Sequence, residues 1–252
     1  MKILQSIISI ALFAFSTSLI AQTPAEIISA YHENTGGVEA WKALEGIKFT
    51  GKVNQGGMEI PLEMVQSKSG ESYMKASFQG LSFFQNVFDG EVLWNTNQMT
   101  MKPEKASSED LSNHKLQLND FPDVLMDYES KGYTVELVGT ESFDGTDCHK
   151  IKVVTEPSML NGEEKESISF YYFDTESSIL LGQEQEIFSG PMAGNVSQTK
   201  FSDYDEVDGL YFPFTISQGL KGGQSAPIVI ETIELNPEID KTILTFPEDT
   251  KE

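Results

Sequence analysis

The sequence predicts an α+β domain built on one large curved antiparallel sheet of about eleven strands, and three observations predict it. From Gly46 onward apolar residues recur at every second position, the period of a strand. The alternating runs are separated by tight-turn pairs, Asp89-Gly90, Asp144-Gly145, Asn161-Gly162 and Asp208-Gly209. Helical spacing is confined to two places, the stretch after Gln22 and an interruption at 98–132.

Ahead of the domain stands MKILQSIISIALFAFSTSLIAQ, one Lys followed by an apolar stretch from Ile3 to Ile20 and a small-residue exit. It reads as a signal peptide over 1–21 with cleavage after Ala21, leaving one domain over 22–252. No later apolar run is comparable, so the mature chain is expected to cross the membrane and stay soluble. No cysteine lies near the cleavage site, so a lipidated N-terminal Cys is not expected.

Each element follows from local chemistry. TPAEIISAYHENTGG is a helix marked at both ends: Thr23 caps it, Pro24 takes its first position, Glu26 closes a capping box and Gly36-Gly37 stop it. Ile27, Ile28 and Tyr31 share its apolar face, and VEAWKAL adds a short second turn with Trp41 and Leu44. IKFTGKV and MEIPLEMVQ flank the hairpin turn Asn54 to Gly57; ESYMKASF, LSFFQNVFDG and EVLWN continue the meander. In the interruption, Ser107 or Ser108 caps a helix reaching about Leu118, and Phe121-Pro122 opens another, DVLMDYESK, stopped by Gly132. Strands then resume from YTVELVG through PIVIETIEL.

Composition excludes several functions. Acids number 39 against 17 basic residues, a formal charge of −22, and all 17 are Lys. Without an Arg fork and with this charge, neither nucleic acid nor electrostatic docking on an anionic membrane surface is expected. Cys148 stands alone, which rules out an internal disulfide and reads as a small buried residue. His32, His114 and His149 show no metal spacing, and no HExxH, CxxC, P-loop, GxGxxG or GxSxG occurs. The acids of Asp203, Asp205, Glu206 and Asp208 miss the EF-hand spacing and read as a solvated turn. No cofactor, metal or catalytic residue is expected.

Beyond the turn Asp208-Gly209, Leu210, Phe212, Phe214 and Ile216 point to one side of a strand, and Pro213 should turn its nitrogen toward an edge or a bulge. Leu62, Met64, Phe83, Phe170, Tyr172, Leu181, Phe212, Phe214 and Ile216 are expected to line one concave sheet face, with Leu125 and Met126 on the apolar side of a lid over 108–131. That is more apolar surface than two or three short helices cover, and methionines repack around flexible ligands. Burying a sixteen-carbon chain offers roughly 12 kcal/mol before association and ordering costs, which makes acyl-chain binding plausible.

The opening YHENTGGVEAWKAL, the hairpin-rich middle, YYFDTESSILLGQEQ, DYDEVDGLYFPF and the closing IDKTILTFP together resemble the LolA-like outer-membrane lipoprotein-sorting proteins in the form common in Bacteroidetes. The resemblance spans the mature chain. It implies an open, LolA/LolB-like half-barrel whose apolar concave face is covered by helices. It further implies a soluble, non-catalytic periplasmic carrier, acting as a monomer, that takes lipoprotein acyl chains or another lipid from an inner-membrane donor to an outer-membrane acceptor. Proteobacterial carriers of that family place an Arg in the cavity region; this chain has none, so the resemblance assigns no ligand residue. Two other readings stand beside it: an envelope assembly module without a lipid cavity, and a hydrolase.

Overall fold

The computed structural model describes residues 22–248; the predicted leader and residues 249–252 lie outside the described residues. Among the described residues thirteen strands form one antiparallel sheet. The first six are β1 (Gly46–Gln55), β2 (Met58–Ser67), β3 (Ser72–Phe78), β4 (Leu81–Phe88), β5 (Leu93–Thr96) and β6 (Pro103–Lys105). Then follow β7 (Thr134–Phe143), β8 (Thr146–Leu160), β9 (Glu163–Asp174), β10 (Leu180–Glu186), β11 (Val196–Val207), β12 (Leu210–Leu220) and β13 (Ser225–Leu235). Their spatial order is β6-β5-β4-β3-β2-β1-β13-β12-β11-β10-β9-β8-β7, so β6 and β7 are the free margins and the sheet is unclosed. The expected count of eleven falls short: β6, three residues long, is too brief to show a period.

The hairpin turns have the predicted chemistry. Asp144-Gly145, Asn161-Gly162 and Asp208-Gly209 all have positive φ at both residues, the geometry whose twist suits neighbouring strands. The acids of the DYDEVDG stretch are exposed. Pro213 sits opposite Tyr204 on β11, below the point where the β12–β13 ladder ends at Thr215 and Val229. Its missing N–H therefore leaves no ladder bond unmade on that side. Where those strands part, Tyr211 N–H instead donates to the Thr35 carbonyl at 3.0 Å.

Helix α1 (Pro24–Asn34) starts at Thr23 with the capping box in place: Glu26 N–H donates to Thr23 Oγ1 at 3.2 Å, and Thr23 N–H donates to Glu26 Oε2 at 2.7 Å. Its Ile27, Ile28 and Tyr31 bury against Ile151, Val153, Tyr171, Phe173 and Leu180 of β8–β10. Helix α2 (Val38–Lys42) lays Trp41 edge-on to Phe212, ring centroids 5.0 Å apart, and Trp41 Nε1–H donates to the Thr35 carbonyl. The last short helix, α4 (Lys241–Leu244), packs with Ile239 and Phe246 on the opposite face of the sheet, against Val65, Tyr73, Val87 and Trp94.

Helix α3 (Ser108–Gln117), capped by Ser107 as predicted, runs into a 3-10 turn at Leu118–Asp120. The second helix expected over DVLMDYESK is a series of turns instead. Asp127 has φ +51, which breaks a right-handed helix in mid-segment, and Leu125 and Met126 point into two different core clusters rather than along one face.

The position of α3 requires the sheet to curl. The ring of His114 meets Phe88 of β4 at 4.8 Å, and the amide of Asn113 exchanges hydrogen bonds with the main chain of Met159 in β8. In the strand order those two strands are nine spacings apart, β4 being third and β8 twelfth. A flat sheet would separate them by about 43 Å. A ten-residue helix is about 15 Å long, so both contacts are possible only if the margins bend toward each other. The predicted open, curved architecture is what this contact pattern gives.

Candidate apolar trough and basal cleft

Helices α1, α2 and α3 lie on one face of the sheet, and ladder register shows which side chains share it. Ile216 pairs with Ile228, Ile228 with Val53, and Val53 with Ile60. One step nearer the base of the sheet, Gly51 pairs with Leu62, Leu62 with Ala76, and Ala76 with Phe83. Phe49, Met64 and Met74 form the next row. Paired residues of an antiparallel ladder point to the same side, so these rows make one apolar surface from β4 across to β12.

Coverage of that surface is uneven. At the base, Ile47, Leu210 and Phe212 are sealed by Trp41, Leu44 and Met126. Toward the end bearing the Asn54 to Gly57 and Gln79-Gly80 turns, Val53, Ile60, Phe83, Phe214, Ile216 and Ile228 are half-buried and belong to none of the packed clusters. Leu81 is 55% exposed and Met58 50%. The structure thus has an apolar trough, filled at its base and uncovered toward its mouth.

Of the side chains expected to line one concave face, Leu62, Met64, Phe83, Phe212, Phe214 and Ile216 do share it. Leu125 packs under α1, and Met126 joins the Trp41 and Phe212 cluster. Phe170, Tyr172 and Leu181 lie on the other face of the sheet, packed with Phe143 and Cys148. The cause is register. Tyr172 pairs with Lys150 and Phe170 with Lys152, whereas it is Tyr171 and Phe173 that enter the cluster beneath α1. A bulge between Leu180 and Gly182 then sets Leu181 with Tyr172.

On that outer face Lys150 Nζ stands 4.7 Å from the Phe170 ring and 5.2 Å from the Tyr172 ring. Glu184, 4% exposed, is fully partnered there, accepting from Tyr172 Oη, Gln198 Nε2 and Lys221 Nζ. Burial alone would raise its carboxyl, but those three donors hold it below the ordinary value. Burial, with Asp174 nearby, pushes the Cys148 thiol up to about 11, which leaves it protonated and unreactive near neutrality.

Under α1, His32 Nε2 meets Asp123 Oδ2 at 3.3 Å, and Asp123 Oδ1 accepts from Leu125 N–H at 2.8 Å. Burial, with Asp123 next to them, raises the phenols of Tyr31, Tyr171 and Tyr204, so all three stay neutral. This polar knot ties the interruption to α1. Among the described residues His114 Nε2 and His149 Nδ1 find no hydrogen-bond partner, although both are buried. Among the described residues no group of three or more His, Cys, Asp or Glu comes together to hold a metal ion, and no helix is long and apolar enough to cross a membrane.

At the base an open cleft of about 380 Å³ lies between α2, the β2–β3 turn and the interruption. Leu44, Phe121 and Met126 give it an apolar floor; Lys42, Lys68 and Lys131 stand around it, each with a carboxylate partner, Asp127, Glu45 and Asp120 in turn. These lysines come from three segments far apart in sequence, and nothing local in the chain marks them. Val53, Ile60 and Ile228 in the trough were legible as alternating apolar positions, although no local signal relates the face of one hairpin to that of another.

No family model matches the chain, and no curated protein matches it in sequence. Among solved structures it is similar to a LolA superfamily protein from Nitrosomonas europaea, 14% identical, over 91% of this chain and 99% of that one, with a TM-score of 0.50. It is also similar to a DUF1329 family protein from Desulfovibrio piger, 12% identical, over 86% of this chain and 97% of that one, with a TM-score of 0.50. At the level of the fold, and over nearly its whole described length, the chain has the architecture of the LolA superfamily protein.

Proposed function

We propose that this chain is a non-catalytic carrier of acyl chains, working in the periplasm after removal of residues 1–21 and passing lipid or lipoprotein toward the outer membrane. The observation that carries this reading is the uncovered part of the trough. Phe83, Ile60, Val53, Ile228, Ile216 and Phe214 present contiguous half-buried apolar surface on the face that the helices elsewhere seal. Large uncovered apolar surface on an exported, strongly acidic protein calls for an apolar ligand. The fold shared with the LolA superfamily protein supports the same class of function.

Energetics support a reversible shuttle. Each methylene buried contributes about 0.8 kcal/mol, so even a partly covered chain repays the cost of association. A trough open at its mouth releases that chain more readily than a closed chamber would. Delivery then follows an affinity gradient between donor and acceptor, as a single small monomer can manage.

The test is native mass spectrometry of protein purified from membrane-containing cells, with a titration of a fluorescent sixteen-carbon fatty acid. Acyl species should co-purify, and replacing Phe214 and Ile216 together by Asp should abolish both signals while circular dichroism stays unchanged. Failure to recover any acyl species, together with no binding of the fatty acid, would sink the proposal.

A further inference from the structure

We propose that the mouth end of the sheet docks on the surface of a phospholipid bilayer, with its hairpin tips entering the head-group layer. The inference rests on the carrier reading and adds to it the place where the cargo enters. Its basis is a division of charge along the strands. At the base, the turns at 68–71, 89–92, 144–147, 174–178 and 205–208 all carry acids. At the mouth, the turns and adjoining strand ends over 53–58, 76–83, 97–101, 187–196 and 216–228 contain no Asp or Glu, in a chain that has 39. Their one cation, Lys221, donates to Glu184 at 2.7 Å. The remaining turn at this end, Asn161-Gly162, is tied to α3 through Glu109.

The same turns carry exposed apolar side chains. Met58, Leu81, Met192 and Leu220 are between 37% and 55% exposed, and Met99 is 92% exposed. Among the described residues only Tyr211 is a comparably exposed large apolar side chain at the base. By strand parity Met58 continues the row of Ile60, Leu81 that of Phe83 and Leu220 that of Ile216, so the uncovered trough runs out between these tips. Apolar surface gathered at one end of a strongly acidic protein marks a contact site. A bilayer meeting the tips abuts the trough, and an acyl chain passes from one to the other without crossing water.

The chemistry of the rim favours a bilayer over a protein partner. Interfaces between proteins concentrate their binding energy in Trp, Tyr and Arg, and none of these occurs in the five stretches. Methionine and leucine tips set among Gly, Asn, Gln and Ser instead offer apolar groups to the acyl boundary and neutral hydrogen-bonding groups to the head-group layer. Charge sets the orientation. A leaflet containing anionic lipid repels the acidic base and spares the uncharged mouth, and its field falls off within a Debye length of about 8–10 Å. Attachment is thus apolar in origin, in keeping with a chain whose net charge of −22 opposes electrostatic docking.

Flotation of the full mature chain with extruded vesicles of dioleoylphosphatidylcholine tests this. The protein should float with the vesicles, and salt at about 0.5 M should not detach it. Replacing Met58 and Leu81 together by Asp should lower the partition coefficient about tenfold or more, while circular dichroism and binding of the fluorescent fatty acid stay as they were. Val138→Asp, at a comparably exposed site in the middle of β7, should float like the unaltered chain. No flotation of a chain that still binds the fatty acid, or flotation indifferent to the tip substitutions, overturns the inference and leaves the carrier reading intact. Detachment by salt also overturns it. Binding to native membrane vesicles that protein-free vesicles fail to reproduce overturns it in favour of a protein partner. A chain that neither floats nor binds the fatty acid overturns both readings.

Discussion

Replacing Asn113 by Ala tests how much of the hold on α3 across the open side of the sheet this side chain supplies, beside Glu109, which accepts from the Asn161 and Gly162 N–H groups. The ladder between β7 and β8 ends at Thr134 and Val154, so the outer edge of β8 beyond Val154 has no strand beside it. Asn113, 6% exposed, takes the place of that strand: its Nδ2–H donates to the Met159 carbonyl at 2.8 Å and its Oδ1 accepts Met159 N–H at 2.7 Å. Two net hydrogen bonds at about 1 kcal/mol each, plus part of the penalty for stranding two half-buried main-chain groups, put the loss at about 2–4 kcal/mol. Urea denaturation reads the total, and hydrogen exchange at the Met159 amide reads the place. Asn113→Asp retains the acceptor and loses the donor, so its Met159 amide should stay protected while stability still falls. A loss below about 0.5 kcal/mol with unchanged exchange would refute the reasoning and leave α3 held by Glu109 and by packing.

Other outcomes follow from the same structure. A Cβ on Gly182 would collide with the ring edge of Phe143 and stand 2.7 Å from the Thr199 carbonyl oxygen, and Phe143 stacks on Tyr172 at 4.3 Å; Gly182→Ala should cost about 1–3 kcal/mol and weaken the near-ultraviolet dichroism of that stack. Glu184 is held below its ordinary 4.5, so its contribution is complete above that value and lost as pH falls through the lower folded value. Glu184→Gln should be less stable at neutral pH by about 1.5–3 kcal/mol and show a shallower decline of the urea midpoint in acid. Burial holds the His114 imidazole below its ordinary 6.5, so the unfolded chain takes up that proton first and stability drops as pH falls below 6.5. His114→Phe removes both that drop and the unpartnered Nε2, and thermal unfolding at about pH 5.5 should move upward.

The sequence made much of the fold legible because period and turn chemistry are local. The capping box at Thr23, the caps of α3 and the turns at Asp144, Asn161 and Asp208 all stand where their residues put them. DVLMDYESK misled because its apolar spacing fits a helix, while the structure instead drives Leu125 and Met126 into separate clusters around a left-handed Asp127. The trough was half legible. Alternation shows that Phe212, Phe214 and Ile216 share a face, and equally that Phe170 and Tyr172 do. Whether those two sets face the same way depends on the registers of the strands between them and on a bulge at Leu181, which no local pattern encodes. The basal lysines were hidden for the same reason, since only the folded chain brings Lys42, Lys68 and Lys131 together.

The strands at the two limits of the sheet, β6 and β7, are consecutive in the chain, and the segment between them contains α3. The ring of strands is therefore cut at one seam and laced there by side chains alone. The gap itself carries no ladder rung, and Asn113, Glu109 and His114 are among the side chains that span it. On the carrier reading proposed above, a bulkier acyl chain would be admitted by yielding at this seam, with the pairing of the strands left as it is.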